Sequence, residues 1–197
     1  REIIAHSIEM INSLGFESFT FKKLGEAIGS NESSIYRYFA NKHMLLIYLI
    51  NWYWSWMDYK IVLHTLTLNN AQDKIKRAIE LLVADVKQDS NFSFINEVLL
   101  NRIIISESSK AYHNIDVDVE NEKGFYMVYK QVVQRVSDFI LEYDPHYEFP
   151  HMLVSTIIEG AHHQRYFAEH LPALTDVEEG QNNIIRFYTN LVFNTLK

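Results

Sequence analysis

Ser33, Ser34, Tyr36, Arg37 and Tyr38 concentrate hydrogen-bonding chemistry in one short stretch of this sequence. A guanidinium offers a planar fork of donors that pairs bidentately with a guanine edge, and a hydroxyl serves as donor or acceptor. Small hydroxyls at the start of a helix, then an arginine and two tyrosines, suit a helix inserted in a DNA major groove. Ordinary exposed polar residues on a helical hairpin would share this composition, but they would not explain the joint spacing that supports a helix-turn-helix.

The flanking residues are those needed to hold such a helix. Thr20 can cap a short helix whose apolar positions Phe21, Leu24 and Ile28 share one face. Gly29 ends it with the left-handed conformation that a sharp exit requires. Asn31 is a good cap for a second helix, and Ile35 and Phe39 give that helix its buried side. Residues 20–42 therefore read as a helix-turn-helix.

The order Gly15-Phe16, Phe19-Thr20, Ala27-Ile28-Gly29, Ser34-Ile35-Tyr36-Arg37-Tyr38-Phe39, Asn41-Lys42 and Leu45-Leu46 resembles the amino-terminal domain of TetR-type repressors. The resemblance covers about the first fifty residues; the remainder is similar only in length and all-helical pattern. It implies that Thr20 and Tyr38 touch phosphates, that Lys42 sits against the DNA backbone at the start of a fourth helix, and that Ser33, Ser34, Tyr36 and Arg37 face base edges. Lys22 joins the same DNA-binding set. It also implies a short leading arm before Arg1, often basic in similar proteins. Two residues depart from the pattern. Gly25 stands where alanine is usual, and a helix-interior glycine costs up to ~1 kcal/mol relative to alanine. Glu32 replaces a lysine or small residue; its carboxylate would weaken phosphate contacts while stabilising the first turn of the helix.

The chain carries a net charge of −7, at first sight a poor match to DNA. Residues 1–50, however, balance Arg1, Lys22, Lys23, Arg37 and Lys42 against Glu2, Glu9, Glu17, Glu26 and Glu32, so the acidity lies entirely beyond residue 50. A neutral head and an acidic body fit a DNA-facing domain with few phosphate contacts and weak non-specific affinity. There is no cysteine, which removes disulfides and thiolate metal sites and is compatible with the cytoplasm. No apolar run is long enough to cross a bilayer; the nearest, Met44 to Met57, is broken by Asn51 and Ser55. No partnership with a membrane is expected, and no cofactor is implied.

Helix is the only periodic signal, which gives an all-α fold of about nine helices; the resemblance implies a three-helix helix-turn-helix head followed by a larger helical-bundle effector and dimerisation domain. The boundary is placed between residues 1–45 and 46–197. The expected helices span about 2–14, the helix-turn-helix pair, 41–66, 71–88, 91–112, a seventh ending at Tyr143, 150–170 and 177–196. Residues 113–120 form an acidic linker. The long fourth helix can join the head to a separate body.

Three further constellations bear on function. Trp52, Trp56, Tyr59 and Leu63 fall on one face of the fourth helix; Trp52, Trp56 and Tyr59, with Tyr126, Tyr129 and Gln131, could line a cavity for a small apolar or aromatic effector, or simply fill space between helices. Apolar residues on more than one face of the last two helices (Ile157, Ile158 and Phe167; Phe187, Tyr188, Leu191 and Val192) suit a homodimer closed as a four-helix bundle, with Gly160 and Ala161 at the crossing. Glu159, His162 and His163 raise a different class, a helical-bundle metalloenzyme. The reading that unites most of these features is a DNA-binding transcriptional regulator. As a repressor it would leave its double-stranded DNA operator when the effector binds.

Overall fold

In the computed structural model, residues 1–88, 95–178 and 180–196 are described; among them the regular structure is ten α-helices and one turn of 3-10 helix, with no strand. Helix α1 (Glu2–Leu14) buries Ile4, Ile8 and Ile11 at helical spacing and stops at Gly15. α2 (Phe21–Ala27) and α3 (Glu32–Tyr36) are short, and α4 (Lys42–Thr65) is the longest. α5 (Ala71–Val83) starts at Asn70, whose side chain accepts from the Asp73 amide. α6 (Glu97–Tyr112) is capped in the same way by Asn96; its expected start near Asn91 lies outside the described residues. α7 (Val117–Glu122), α8 (Met127–Tyr143), α9 (Pro150–His170), the 3-10 turn Pro172–Leu174 and α10 (Asn183–Thr195) complete the order. Pro150 sits in the first turn of α9, where its missing N–H costs nothing.

Three departures from expectation have local causes. The acidic stretch read as a linker contains part of α7, because Glu120 is buried there with its carboxylate 2.6 Å from His43 Nε2 and within 3.3 Å of the Asn114 amide. α5 ends at Val83 instead of reaching Gln88: the Arg165 guanidinium donates to the Val83 carbonyl and pairs with Asp85, satisfying a helix end that would otherwise continue. α10 begins at Asn183 instead of Val177, since the Val177 amide turns to Thr175 Oγ1 and the Asn183 side chain reaches back to the Asp176 carbonyl.

Two compact units emerge, one of Arg1–Tyr53 with Val86–Phe125 and one of Trp54–Asp85 with Tyr126–Lys197. In the first, α1 packs on α6 and α2, with Ile8, Phe19, Leu24, Ile35, Leu45, Leu49, Leu100 and Ile104 buried. Asn12 ties α1 to the Leu99 carbonyl, and Tyr53 donates to Asn101. Packing thus assigns α6 and α7 to the unit that holds the helix-turn-helix.

The second unit is built from α5, α8, α9 and α10 around Ile75, Ile79, Val132, Val136, Val154, Ile157 and Ile184. Arg135 grips both oxygens of Asp58 at 2.7 and 3.1 Å. Ile157, Ile158, Tyr188 and Val192, expected at a dimer surface, are buried in this chain's own core. Gly160 is likewise used internally: a Cβ there would collide with the Tyr188 hydroxyl, so the small residue admits an intrachain ring. No helix of the described residues is long and apolar enough to cross a membrane.

One polar ring lies deep in this unit. His162 is only 6 % exposed, its ring centroid 6.2 Å from that of Trp54, and its Nδ1 has no hydrogen-bond partner among the described residues. Burial, then the nearby His163 and Arg165, push its pKa down to about 4. Between pH 6.5 and 4 the unfolded chain therefore binds a proton that the folded chain refuses, so this contribution to stability is complete above pH 6.5 and lost as pH falls towards 4. The loss is of order 3 kcal/mol. Urea denaturation of wild type and His162→Gln across that range checks it: the wild-type curve falls more steeply with acid than the variant's, and parallel curves would contradict a suppressed pKa.

Candidate nucleic-acid interface

The geometry of residues 20–38 follows from satisfied helix ends. Thr20 Oγ1 accepts from the Lys23 amide at 3.3 Å, and Asn31 Oδ1 accepts from the Ser34 amide at 2.9 Å, so both short helices have the side-chain caps expected for them. Between them Gly29 takes φ +63°, which reverses the chain. Phe21, Leu24 and Ile35 are buried beneath, and Tyr36 meets Phe21 edge to face at 5.0 Å. Phe39 was expected to extend the buried side of the second helix. It lies beyond the end of α3, which stops at Tyr36, and packs edge-on against Tyr48.

Gly25 has a reason that sequence alone did not show. The Ser30 amide donates to the Gly25 carbonyl at 2.8 Å, and a Cβ on Gly25 would lie 2.8 Å from the Ser30 carbonyl oxygen and 3.2 Å from the Glu32 nitrogen. The glycine lets α2 touch the start of α3. Its departure from alanine is thereby matched to an unusually close turn.

The expected contact residues separate into three groups. Ser33, Tyr36, Arg37, Tyr38 and Lys22 are exposed, Tyr38 to 72 %, and form the outward face of the motif. Thr20 and Ser34 are engaged locally: Thr20 caps α2, while Ser34 Oγ donates to the Asn31 carbonyl at 2.7 Å and meets Ser30 Oγ at 2.6 Å. Lys42 is turned inward, its ammonium donating to the Phe16 and Glu17 carbonyls, each at 3.1 Å, 4.9 Å from the centroid of the Phe16 ring. Glu17 is held below the usual carboxylate range by its hydrogen bond from Lys110 and by the charges of Lys110 and Lys42. Partial desolvation, then the nearby charge of the Glu32 carboxylate, push the Tyr36 phenol up. This Glu32–Tyr36 pair escaped the sequence reading although its i, i+4 spacing was visible.

The aromatic set of α4 is arranged differently from expectation. Trp56 and Tyr126 are buried and Trp52 half-buried, but Tyr59 and Leu63 are each 51 % exposed, and Gln131 is exposed as well. The deeply buried residues in this part of α4 are Tyr53, Trp54, Met57 and Ile61. Trp54, missed in the sequence, stacks on Tyr129 at 4.5 Å, and Tyr129 donates to Glu159. By packing, Trp52 falls in the first unit and the others in the second. An open groove of about 370 Å³ in the second unit is walled by Lys76, Arg77, Glu80 and Ile185, none of them an expected effector residue.

The three residues of the metal alternative are not gathered into one set of ligands. Glu159 accepts from Tyr129, His163 is exposed with Nδ1 on the Glu159 carbonyl, and His162 is buried; no group of three ligands that could hold a metal occurs among the described residues.

Residues 3–49 match the family described as bacterial regulatory proteins, tetR family. No curated protein matches the chain. Among solved structures, AibR in complex with isovaleryl coenzyme A and operator DNA is similar with a TM-score of 0.66 at 11 % identity, covering 97 % of this chain and 96 % of that one. The superantigen PfiT gives 0.63 at 11 %, covering 98 % and 93 %. The fatty acid degradation regulator FadR from Bacillus halodurans gives 0.61 at 14 %, covering 99 % and 96 %. Identities this low establish a shared fold, that of an amino-terminal helix-turn-helix followed by a helical domain.

Gly25→Ala tests the close turn. At an unconstrained helix-interior site this change stabilises by roughly 0.5–1 kcal/mol. Here the new methyl meets backbone, so the substitution lowers stability by about 1–3 kcal/mol. Chemical denaturation distinguishes the two signs.

Proposed function

We propose that this chain, whose residues 3–49 match the tetR family of bacterial regulatory proteins, is a homodimeric DNA-binding repressor acting in the cytoplasm and released from its operator by a small apolar or aromatic molecule. The observation that carries the DNA-binding part is the outward face of the motif. Ser33, Arg37 and Tyr38 are exposed on a turn whose helix ends are already satisfied, which leaves their side chains available to DNA. In this reading residues 1–45 read DNA. Arg37, Ser33 and Tyr36 meet base edges, while Lys22, Thr20 and Tyr38 meet phosphates. Ser34 and Lys42 support that face from behind, through the contacts they make within the chain.

Residues 46–197 would bind effector and partner. Aromatic surface from Trp56, Tyr126 and the Trp54–Tyr129 stack favours an apolar or aromatic effector held in the second unit. The solved complex of AibR holds both a coenzyme A thioester and operator DNA, which supports two such partners for the fold. Release requires the effector to bind the DNA-free arrangement more tightly, and operator must then weaken effector by the same factor. For the dimer, the apolar residues still outside on α9 and α10 are Met152, Tyr166 and Phe187.

Selection from a random DNA pool tests the reading directly: an enriched palindromic site is expected, and no enrichment would remove it. On that site Arg37→Ala relaxes preference at one or two base pairs of each half-site and costs ~1–3 kcal/mol per half-site. A uniform loss over all sequences would reassign Arg37 to the backbone. Light scattering at micromolar concentration is expected to give twice the chain mass, and Phe187→Asp to give the monomer.

A further inference from the structure

His162 is a buried polar residue that neither the packing of the second unit nor the proposed function employs. It lies on α9, beside the buried Ala161 and one turn from the buried Ile158. Its Nδ1 is sealed from solvent and has no hydrogen-bond partner among the described residues. Buried polar atoms in folded proteins are almost always paired, so such an orphan needs an explanation. Leaving it unpaired weakens the folding equilibrium by about 5- to 150-fold.

The surroundings say what kind of partner fits. The His162 ring lies 6.2 Å from that of Trp54, and Trp54 in turn stacks on Tyr129 at 4.5 Å and 19°. All three belong to the second unit. Nearby polar groups are already engaged: the Tyr129 hydroxyl donates to Glu159 at 2.8 Å, and the Arg165 guanidinium holds the Val83 carbonyl and Asp85. A buried water requires two to four polar partners, a poor match to an aromatic wall with one orphaned nitrogen. A molecule with a ring to lie against Trp54 and one polar group to reach Nδ1 matches both features.

The chemistry of the imidazole narrows that group. Burial keeps the ring neutral at physiological pH. One nitrogen of a neutral imidazole donates and the other accepts, and a hydroxyl answers either because it does both. A carboxylate would carry a charge into a buried site at a cost that one hydrogen bond does not offset.

We propose that His162 is the polar anchor of an effector site in the second unit, taking an uncharged aromatic molecule that carries a hydroxyl group. The inference rests on the effector reading above and deepens it, adding one oxygen to the ligand and one residue of α9 to the site. Pairing Nδ1 removes the penalty of the orphaned atom, so a single hydroxyl gains more here than at an exposed position.

The test is an NMR titration of the full chain, isotope-labelled at its histidine nitrogens, with naphthalene, naphthol and naphthoate as probes. The His162 resonances are identified by their absence from His162→Gln. Naphthol is expected to bind more tightly than naphthalene by about 5- to 150-fold and to move those resonances, which naphthalene leaves nearly in place. Naphthoate binds more weakly than naphthol. His162→Phe retains naphthalene and loses the advantage of the hydroxyl, whereas His162→Gln, with a hydrogen-bonding group of its own, retains part of it. Should His162→Phe lose native helicity, the wild-type titrations decide alone. Equal affinity for naphthalene and naphthol, or naphthol binding that leaves the His162 resonances unmoved, overturns the anchor while an aromatic effector site stands. If none of the three probes binds, the effector reading fails, and with it this assignment.

Discussion

The first unit depends on one close approach between backbones. At Gly25 the second helix comes so near the residues opening the third that no side-chain atom fits, and the Ser30 amide bonds the Gly25 carbonyl across the gap. α3 has only five residues, too few to be helical by its own propensity. It is held by the Asn31 cap, by the buried Ile35 and by this contact, so its direction in space is inherited from α2. α2 in turn is fixed by Phe21 and Leu24 in the core beneath. Everything exposed between residues 33 and 38 takes its orientation from that chain of dependence.

Electrostatics follow the folded units and not the order of the sequence. Counting charges over residues 1–50 sets Glu17 against cations of the same stretch, yet Lys110 from α6 pairs with it at 2.6 Å, closer than Lys42 at 3.9 Å. Lys23 donates to the Ser18 carbonyl and Lys42 to those of Phe16 and Glu17, so two of the cations in that count brace the loop after α1. Packing is what brings α6 into this arithmetic. A linear tally of charge therefore misjudges both the repulsion and the free cations of the unit.

Where local chemistry decides structure, the sequence was readable. Thr20, Asn31 and Gly29 announced the two short helices and the turn, α1 showed its stripe of isoleucines, and Pro150 marked the start of α9. Where distant contacts decide, it was not. α7 forms around a buried Glu120 that looks like one more acid in an acidic run. α4 is apolar on several sides between Leu45 and Ile61, so periodicity could not choose between the face of Trp52 and Tyr59 and that of Trp54 and Met57. The outer surface of α9 and α10 was misread for the same reason: wide apolar arcs do not say which residues the chain itself covers. For the expected contact residues, type and exposure were legible, but the local engagements of Ser34 and Lys42 required coordinates.

The satisfied ends of α2 and α3 have an evolutionary consequence. Ser33 and the Arg37 side chain are exposed and belong neither to a cap nor to the core, whereas Thr20, Gly25, Asn31 and Ile35 maintain the scaffold. Substitutions at exposed positions away from such features usually change stability by less than about 0.5 kcal/mol. Under the proposed assignment, the residues that would choose a DNA sequence are thus nearly decoupled from those that fold the domain. On that assignment, a lineage carrying this unit could drift from one target to another through intermediates that remain folded, its outward residues exchanged while the scaffold stays.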